Sequence, residues 1–166
     1  MSNDETNTTN SDVQKLGKLL KDQRFAMLTT IADDGTLMSR PLAMQEVEFD
    51  GDLWFFVTRD SRAVAQVGAQ PRVNVALGSG STWISLAGTA TVVEDTTKKR
   101  DLWDASVEAW FPQGPDSHDI VLLHVNAESA EYWNTPGGRV STLFSFVKAK
   151  VTGQPFSGGE NERVDL

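Results

Sequence analysis

Cysteine is absent from all 166 residues. That excludes disulfide frameworks, thiolate zinc sites, iron–sulfur clusters and a cysteine nucleophile. Histidine is scarce: His118 and His124 are the two copies, one in an expected loop and one in an expected strand. Neither belongs to a metal-binding spacing with nearby ligands, so no metal site is expected. Long apolar runs are missing too. No segment approaches the roughly 20 residues of a membrane helix, and no charged-then-apolar leader opens the chain, so a soluble, cytoplasmic protein is expected. Basic stripes are lacking as well. With a net charge of −8 and no Lys/Arg run, neither nucleic acid nor an anionic membrane is expected as the main partner, because both demand phosphate neutralisation. Much of the acidity lies at the ends, where Asp4, Glu5, Asp12, Glu160, Glu162 and Asp165 are offset by Arg163 alone.

Common catalytic signatures are also missing. There is no G-x-S-x-G elbow, no Walker lysine loop and no G-x-G-x-x-G after a strand. The carboxylates fall mainly in turns, helix starts and tails, and no glycosidase-like pair is set up.

What is present is a meander. Residues 25–31, 37–49 and 53–58 are rich in the β-branched and aromatic residues that suit a pleated surface, and Asp34-Gly35 and Asp50-Gly51 punctuate them. The length suits one compact domain over residues 13–152, between a disordered acidic stretch at 1–12 and a polar tail at 153–166. Val13, Leu16, Leu19 and Leu20 predict an amphipathic helix over 13–22. Strands at 72–77 and 82–93 flank a Gly78-Ser79-Gly80-Ser81 turn, with Gly88 marking a bulge. A single helix runs from a cap at Asp95 or Thr96 to Pro112, and Trp103 and Trp110 share one of its faces. Final strands fall at 120–125 and 129–133, the second short and at an edge. A loop at 135–138 leads to a helix at 140–151.

Two places could hold an anion. In Ser39-Arg40-Pro41 a proline interrupts a strand; it cannot donate to a ladder, so the strand should leave its partner there beside Arg40. The alternative for Arg40 is an ordinary edge arginine paired with a carboxylate. Further on, Asp60 or Ser61 caps a helix entered directly from a strand, with Arg62 in its first turn and Ala63, Val64 and Val67 at helical spacing. Free N–H groups, the helix dipole and Arg62 together make a phosphate seat, and Arg40 and Arg62 could bracket one anion.

The succession S-R-P at 39–41, F-x-T-x-x-S-R at 56–62, Q-P-R-V-N-V at 70–75, A-W-F-P-x-G at 109–114 and A-E-Y-W at 130–133 resembles the general stress protein branch of the pyridoxamine 5'-phosphate oxidase-like, FMN-binding split-barrel family. The resemblance covers residues 13–166. It implies a mainly β fold with flanking helices, a six-stranded antiparallel split β-barrel that forms a homodimer with flavin held in clefts between subunits. It also implies roles. Arg40, with Pro41 and Leu42, matches the strand that runs along the flavin and gives a cation to its phosphate. Val57 and Thr58 match the strand end that touches the ring and ribityl chain. Ser61 and Arg62 match the phosphate-binding turn, and Trp110 and Trp133 match segments lining the partner's side of the cleft. FMN is the implied cofactor, with FAD and deazaflavin as alternatives and haem as another ligand of relatives.

Two departures bear on function. Members often carry S-R-K at the helix start, whereas this chain has Ser61-Arg62-Ala63 and lacks that lysine. The C-terminal R-x-H element of the true oxidases is missing from GGENERVDL, so pyridoxamine phosphate oxidation is not expected. The implied function is binding or sequestering FMN as a stress protein. The alternatives are a flavin-dependent oxidoreductase of unknown small-molecule substrate and a cofactor-free dimeric scaffold. No catalytic acid or base is assigned, since a flavin would itself carry hydride or electrons.

Overall fold

Alternation of apolar and polar residues builds the sheet. In the computed structural model, which describes residues 2–21, 23–45, 48–80, 82–134 and 160–166, strand β1 (Phe25–Ile31) buries Ala26, Leu28 and Thr30 and turns Phe25 and Met27 outward. β2 (Leu37–Ala43), β4 (Arg72–Ser79) and β5 (Thr82–Val93) repeat that pattern. In contrast, β3 (Asp52–Thr58) and the first half of β6 (Ile120–Asn134) carry consecutive apolar residues, because both of their faces are covered. One face meets the main core of Leu28, Phe55, Val75, Leu86, Leu123 and Tyr132. The other meets a smaller cluster in which Phe56, Ile120 and Leu122 join Leu102 and Val107.

The hydrogen-bonded order is β2-β1-β4-β5-β6-β3, and β7 (Glu160–Asp165) pairs with β6 outside that path. All pairings are antiparallel. β2 and β3, the two ends of the path, do not pair, so the sheet stays open as a split barrel. Over 122–134 β6 faces β5, while its other edge is shared by β3 over 120–126 and β7 over 129–134. Between these two stretches the β5–β6 register shifts: Ala87 faces Ser129 and Gly88 faces Ala127, leaving Glu128 as the extra residue of a bulge. A Cβ on Gly88 would stand 2.0 Å from the Asn126 carbonyl oxygen, so only glycine fits. The expected bulge at Gly88 is therefore present.

Helices close the layers. α1 (Ser2–Leu20) brings Leu16 and Leu20 to the main core, and α2 (Arg62–Ala69) brings Ala63 and Val67. α3 (Thr96–Asp101) and α4 (Ala105–Trp110) bring the smaller cluster together through Leu102 and Val107.

Several expectations are corrected. Residues 2–12, expected to be disordered, continue α1; once Leu16 and Leu20 anchor a turn, extending it costs far less than starting one. The strand expected over 37–49 ends at Ala43. Pro41 does not part β2 from β1, since the register runs unbroken from Phe25–Ala43 to Ile31–Leu37; on an edge strand its missing N–H can face outward. The single helix to Pro112 is two. The Leu102 N–H closes α3 on the Arg100 and Lys98 carbonyls, and the Asp104 carboxylate caps α4 by accepting from the Val107 N–H. Trp103 and Trp110 are thus not on one helix face. Residues 129–133 belong to β6 and are not an edge, being paired on both sides. Part of the polar tail is strand β7, held where Val164 enters the core opposite Ala130. The expected loop at 135–138 and helix at 140–151 lie outside the described residues.

Candidate functional site

Arg40 lies on the face of β2 that also carries Met38 and Leu42, all half-buried. The strand β3 ends at exposed Thr58 and turns at once into α2. In that turn the Ser61 N–H donates to the Thr58 carbonyl at 3.0 Å, and the Ser61 hydroxyl accepts from the Val64 N–H at 3.4 Å. Ser61 is therefore the helix cap, and Arg62 is the first helical residue. The buried side of α2 consists of Ala63, Gln66 and Val67. Gln66 is the polar member of that side, and it meets Arg40.

Arg40 Nη2 donates to Gln66 Oε1 at 2.9 Å, and Arg40 Nη1 donates to Thr30 Oγ1 at 2.8 Å. The Thr30 hydroxyl donates in turn to Gln66 Oε1 at 2.6 Å. Thr30 is 0% exposed and Gln66 9%. Neither carries a charge. The alternative of an edge arginine held by a carboxylate is thus not what the described residues show. Arg62 is exposed and, among the described residues, has no hydrogen-bond or ion-pair partner. Partial burial, followed by the positive charge of Arg62, lowers the Arg40 pKa from its ordinary value. The two cations therefore act on each other.

Three other arginines contrast with this pair. Arg59, in the same turn, is bound to Glu94; Arg72 is 2.6 Å from Glu128 and Arg100 is 2.7 Å from Asp116. The Arg59 hydrogen bond and charge hold the Glu94 carboxyl below the usual glutamate value. Each of these is neutralised where it stands. Arg40 and Arg62 have no such carboxylate among the described residues.

The remaining expected residues lie at different places on the fold. Leu42 packs against the main core. Pro41 is exposed on the opposite face of β2. The Val57 side chain is buried in the main core, and only its neighbour Thr58 opens to the surface. Trp110, at the end of α4, is 67% exposed; Trp133, on β6 opposite Trp83, is 39% exposed. Among the described residues no group of three His, Asp or Glu side chains could hold a metal, and no helix is long and apolar enough to cross a membrane.

Sequence reasoning missed Thr30 and Gln66. The signal was there in weak form: Thr30 continues the inward series Ala26, Leu28, and Gln66 falls between Ala63 and Val67 on an apolar face. A polar residue at an inward position has to find a buried partner.

Residues 11–157 match the family model described as pyridoxamine 5'-phosphate oxidase like. The chain belongs to that family. A general stress FMN/FAD-binding protein from Xanthomonas citri has a solved structure that is 29% identical, with a TM-score of 0.65 over 75% of this chain and 89% of that one. A protein from Clostridium acetobutylicum, related to general stress protein 26 of the pyridoxinephosphate oxidase family, shares the fold at a TM-score of 0.70 over 94% of this chain and 95% of that one, at 15% identity. Protein bli-3 of Neurospora crassa is 24% identical over 155 residues, 86% of this chain and 74% of its own length.

Proposed function

We propose that the protein is a flavin-binding general stress protein that seats the phosphate of FMN between Arg40 and Arg62 at a homodimer interface. The observation that carries this reading is the pair of neighbouring arginines with no carboxylate among the described residues, beside the N-terminus of α2. Two cations with no carboxylate among the described residues, beside free helix N–H groups, suit a phosphate. The likeness to an FMN/FAD-binding general stress protein supports a flavin as the bearer of that phosphate. Ala63, where many members carry lysine, is buried in the core, so the two arginines supply the charge.

In this reading Leu42 and Thr58 border the flavin, and the buried Val57 side chain supports that border from within. A bound flavin supplies hydride or electron transfer, while the chain anchors the phosphate and orients the ring. Trp110 and Trp133 stand on exposed surface where a partner subunit could meet the cleft. Support for the dimer comes from the outer face of the sheet, where strand alternation places Phe25, Met27, Leu37, Trp83 and Trp133 together and exposed. These exposed apolar side chains, set among polar Thr29, Ser39, Asn74 and Ser85 on the same face, suit burial against a second copy of the chain. The purified protein should carry flavin absorption bands or acquire them with added FMN. A colourless protein that ignores FMN contradicts the proposal and favours a cofactor-free scaffold.

A further inference from the structure

The buried side of α2 packs on the sheet, and an amide placed there without hydrogen-bond partners would be destabilising. Gln66 avoids that cost in one orientation only. Its Oε1 accepts from the Thr30 hydroxyl at 2.6 Å and from Arg40 Nη2 at 2.9 Å, while its Nε2 faces Met38 Sδ at 3.1 Å. Turning the amide over would set N–H donors against the guanidinium and lose both bonds. The Thr30 hydroxyl accepts from Arg40 Nη1 at 2.8 Å and donates to Gln66 Oε1 at 2.6 Å, with the Met38 carbonyl a longer second acceptor at 3.5 Å. The three side chains form a closed ring in which two nitrogens of a planar fork are held by two fixed oxygens. Both oxygens are neutral. A carboxylate in place of Gln66 could hold the fork as firmly, but it would cancel the charge.

We infer that Gln66, with Thr30, is a positioning residue that aims the Arg40 guanidinium through neutral oxygens that do not cancel its charge, and thereby sets a preference for phosphate-bearing flavin over the same ring without phosphate. This rests on the flavin reading of the site. The ring of hydrogen bonds joins β1, β2 and α2, so the direction of Arg40 is fixed by three elements before any ligand arrives. Preorganisation of this kind raises affinity because less freedom is lost on binding.

The test compares FMN with riboflavin, which shares the ring and ribityl chain but has no phosphate, by flavin fluorescence titration of the full chain. Wild-type protein is expected to prefer FMN by about ten-fold or more. Gln66→Glu should weaken FMN binding about ten-fold and leave riboflavin within about two-fold, collapsing the preference. Gln66→Met, which keeps the volume and removes the acceptor, should lower the preference by a smaller factor, and it carries the test if Gln66→Glu does not fold. Thr30→Ser should keep the preference and Thr30→Val should lose part of it. Equal losses for both flavins in folded variants, or a preference unchanged in Gln66→Glu, would overturn the inference while leaving the flavin reading in place. Wild-type protein that binds neither flavin would overturn both.

Discussion

Arg40 reaches from edge strand β2 to Gln66 on helix α2, at 2.9 Å, through a neutral oxygen. This contact ties the two elements and leaves a positive charge without a counter-charge among the described residues. Arg59, Arg72 and Arg100, by contrast, each stand against a carboxylate. The positive charge of Arg62 weighs against that of Arg40, a repulsion that a bound anion would relieve.

Arg62→Ala should weaken FMN binding about ten-fold or more, the scale of one charge-assisted hydrogen bond of about 1.5–3 kcal/mol. Its melting temperature should stay within about 1 °C of wild type, because an exposed, unpartnered side chain contributes little to folding. Arg40→Ala should lower both, since it strips buried Thr30 and Gln66 of a donor each. Parallel titrations and thermal melts separate the two cases.

At the β5–β6 bulge, Gly88→Ala should be destabilising by about 3 kcal/mol or more, because its Cβ would meet the Asn126 backbone and backbone cannot swing aside. Gly68→Ala in α2 is the control. Nothing lies within 4 Å of a Cβ there, so helix propensity should stabilise it by about 0.5–1 kcal/mol. Urea unfolding of both variants checks the contrast.

The outer face should hold two copies together. Met27→Glu or Trp83→Glu places a charge among exposed apolar side chains, and the mass by light scattering should fall from dimer to monomer. Unchanged mass would remove this face from the assembly.

The Arg59–Glu94 pair gives a pH dependence of defined sign. The folded-state pKa of Glu94 is held below its ordinary value, first by the Arg59 hydrogen bond. Its contribution to stability is therefore present above the ordinary glutamate value and is lost as pH falls through the folded value. Glu94→Gln should melt slightly below wild type at neutral pH, and the gap should close in acid. A gap that widens in acid would contradict the assignment.

Much of the fold could be read from local pattern. The alternation of 25–31, 72–77 and 82–93, the Asp-Gly turns and Gly88 are local signals, and the strands, turns and bulge fall there. The break in the helix before Trp110 was hidden because Leu102, Trp103, Val107 and Trp110 keep an apolar rhythm across it, while the cap is made by one carboxylate, Asp104. β7 was hidden for the opposite reason: in ENERVD only Val164 is apolar, and its strand exists because the β6 edge beyond Glu128 is free to pair. At the site, the chain order implied Arg40 and Arg62. It could not reveal which neighbours fix Arg40, because Thr30 and Gln66 become informative only when their burial is known.

The most direct test of the account is a fluorescence titration of FMN with the purified wild-type chain, run at low and high salt. Saturable binding at about micromolar strength, equivalent to roughly 8 kcal/mol, is expected, and it should weaken as salt screens the two arginines. No binding at either salt concentration would contradict it.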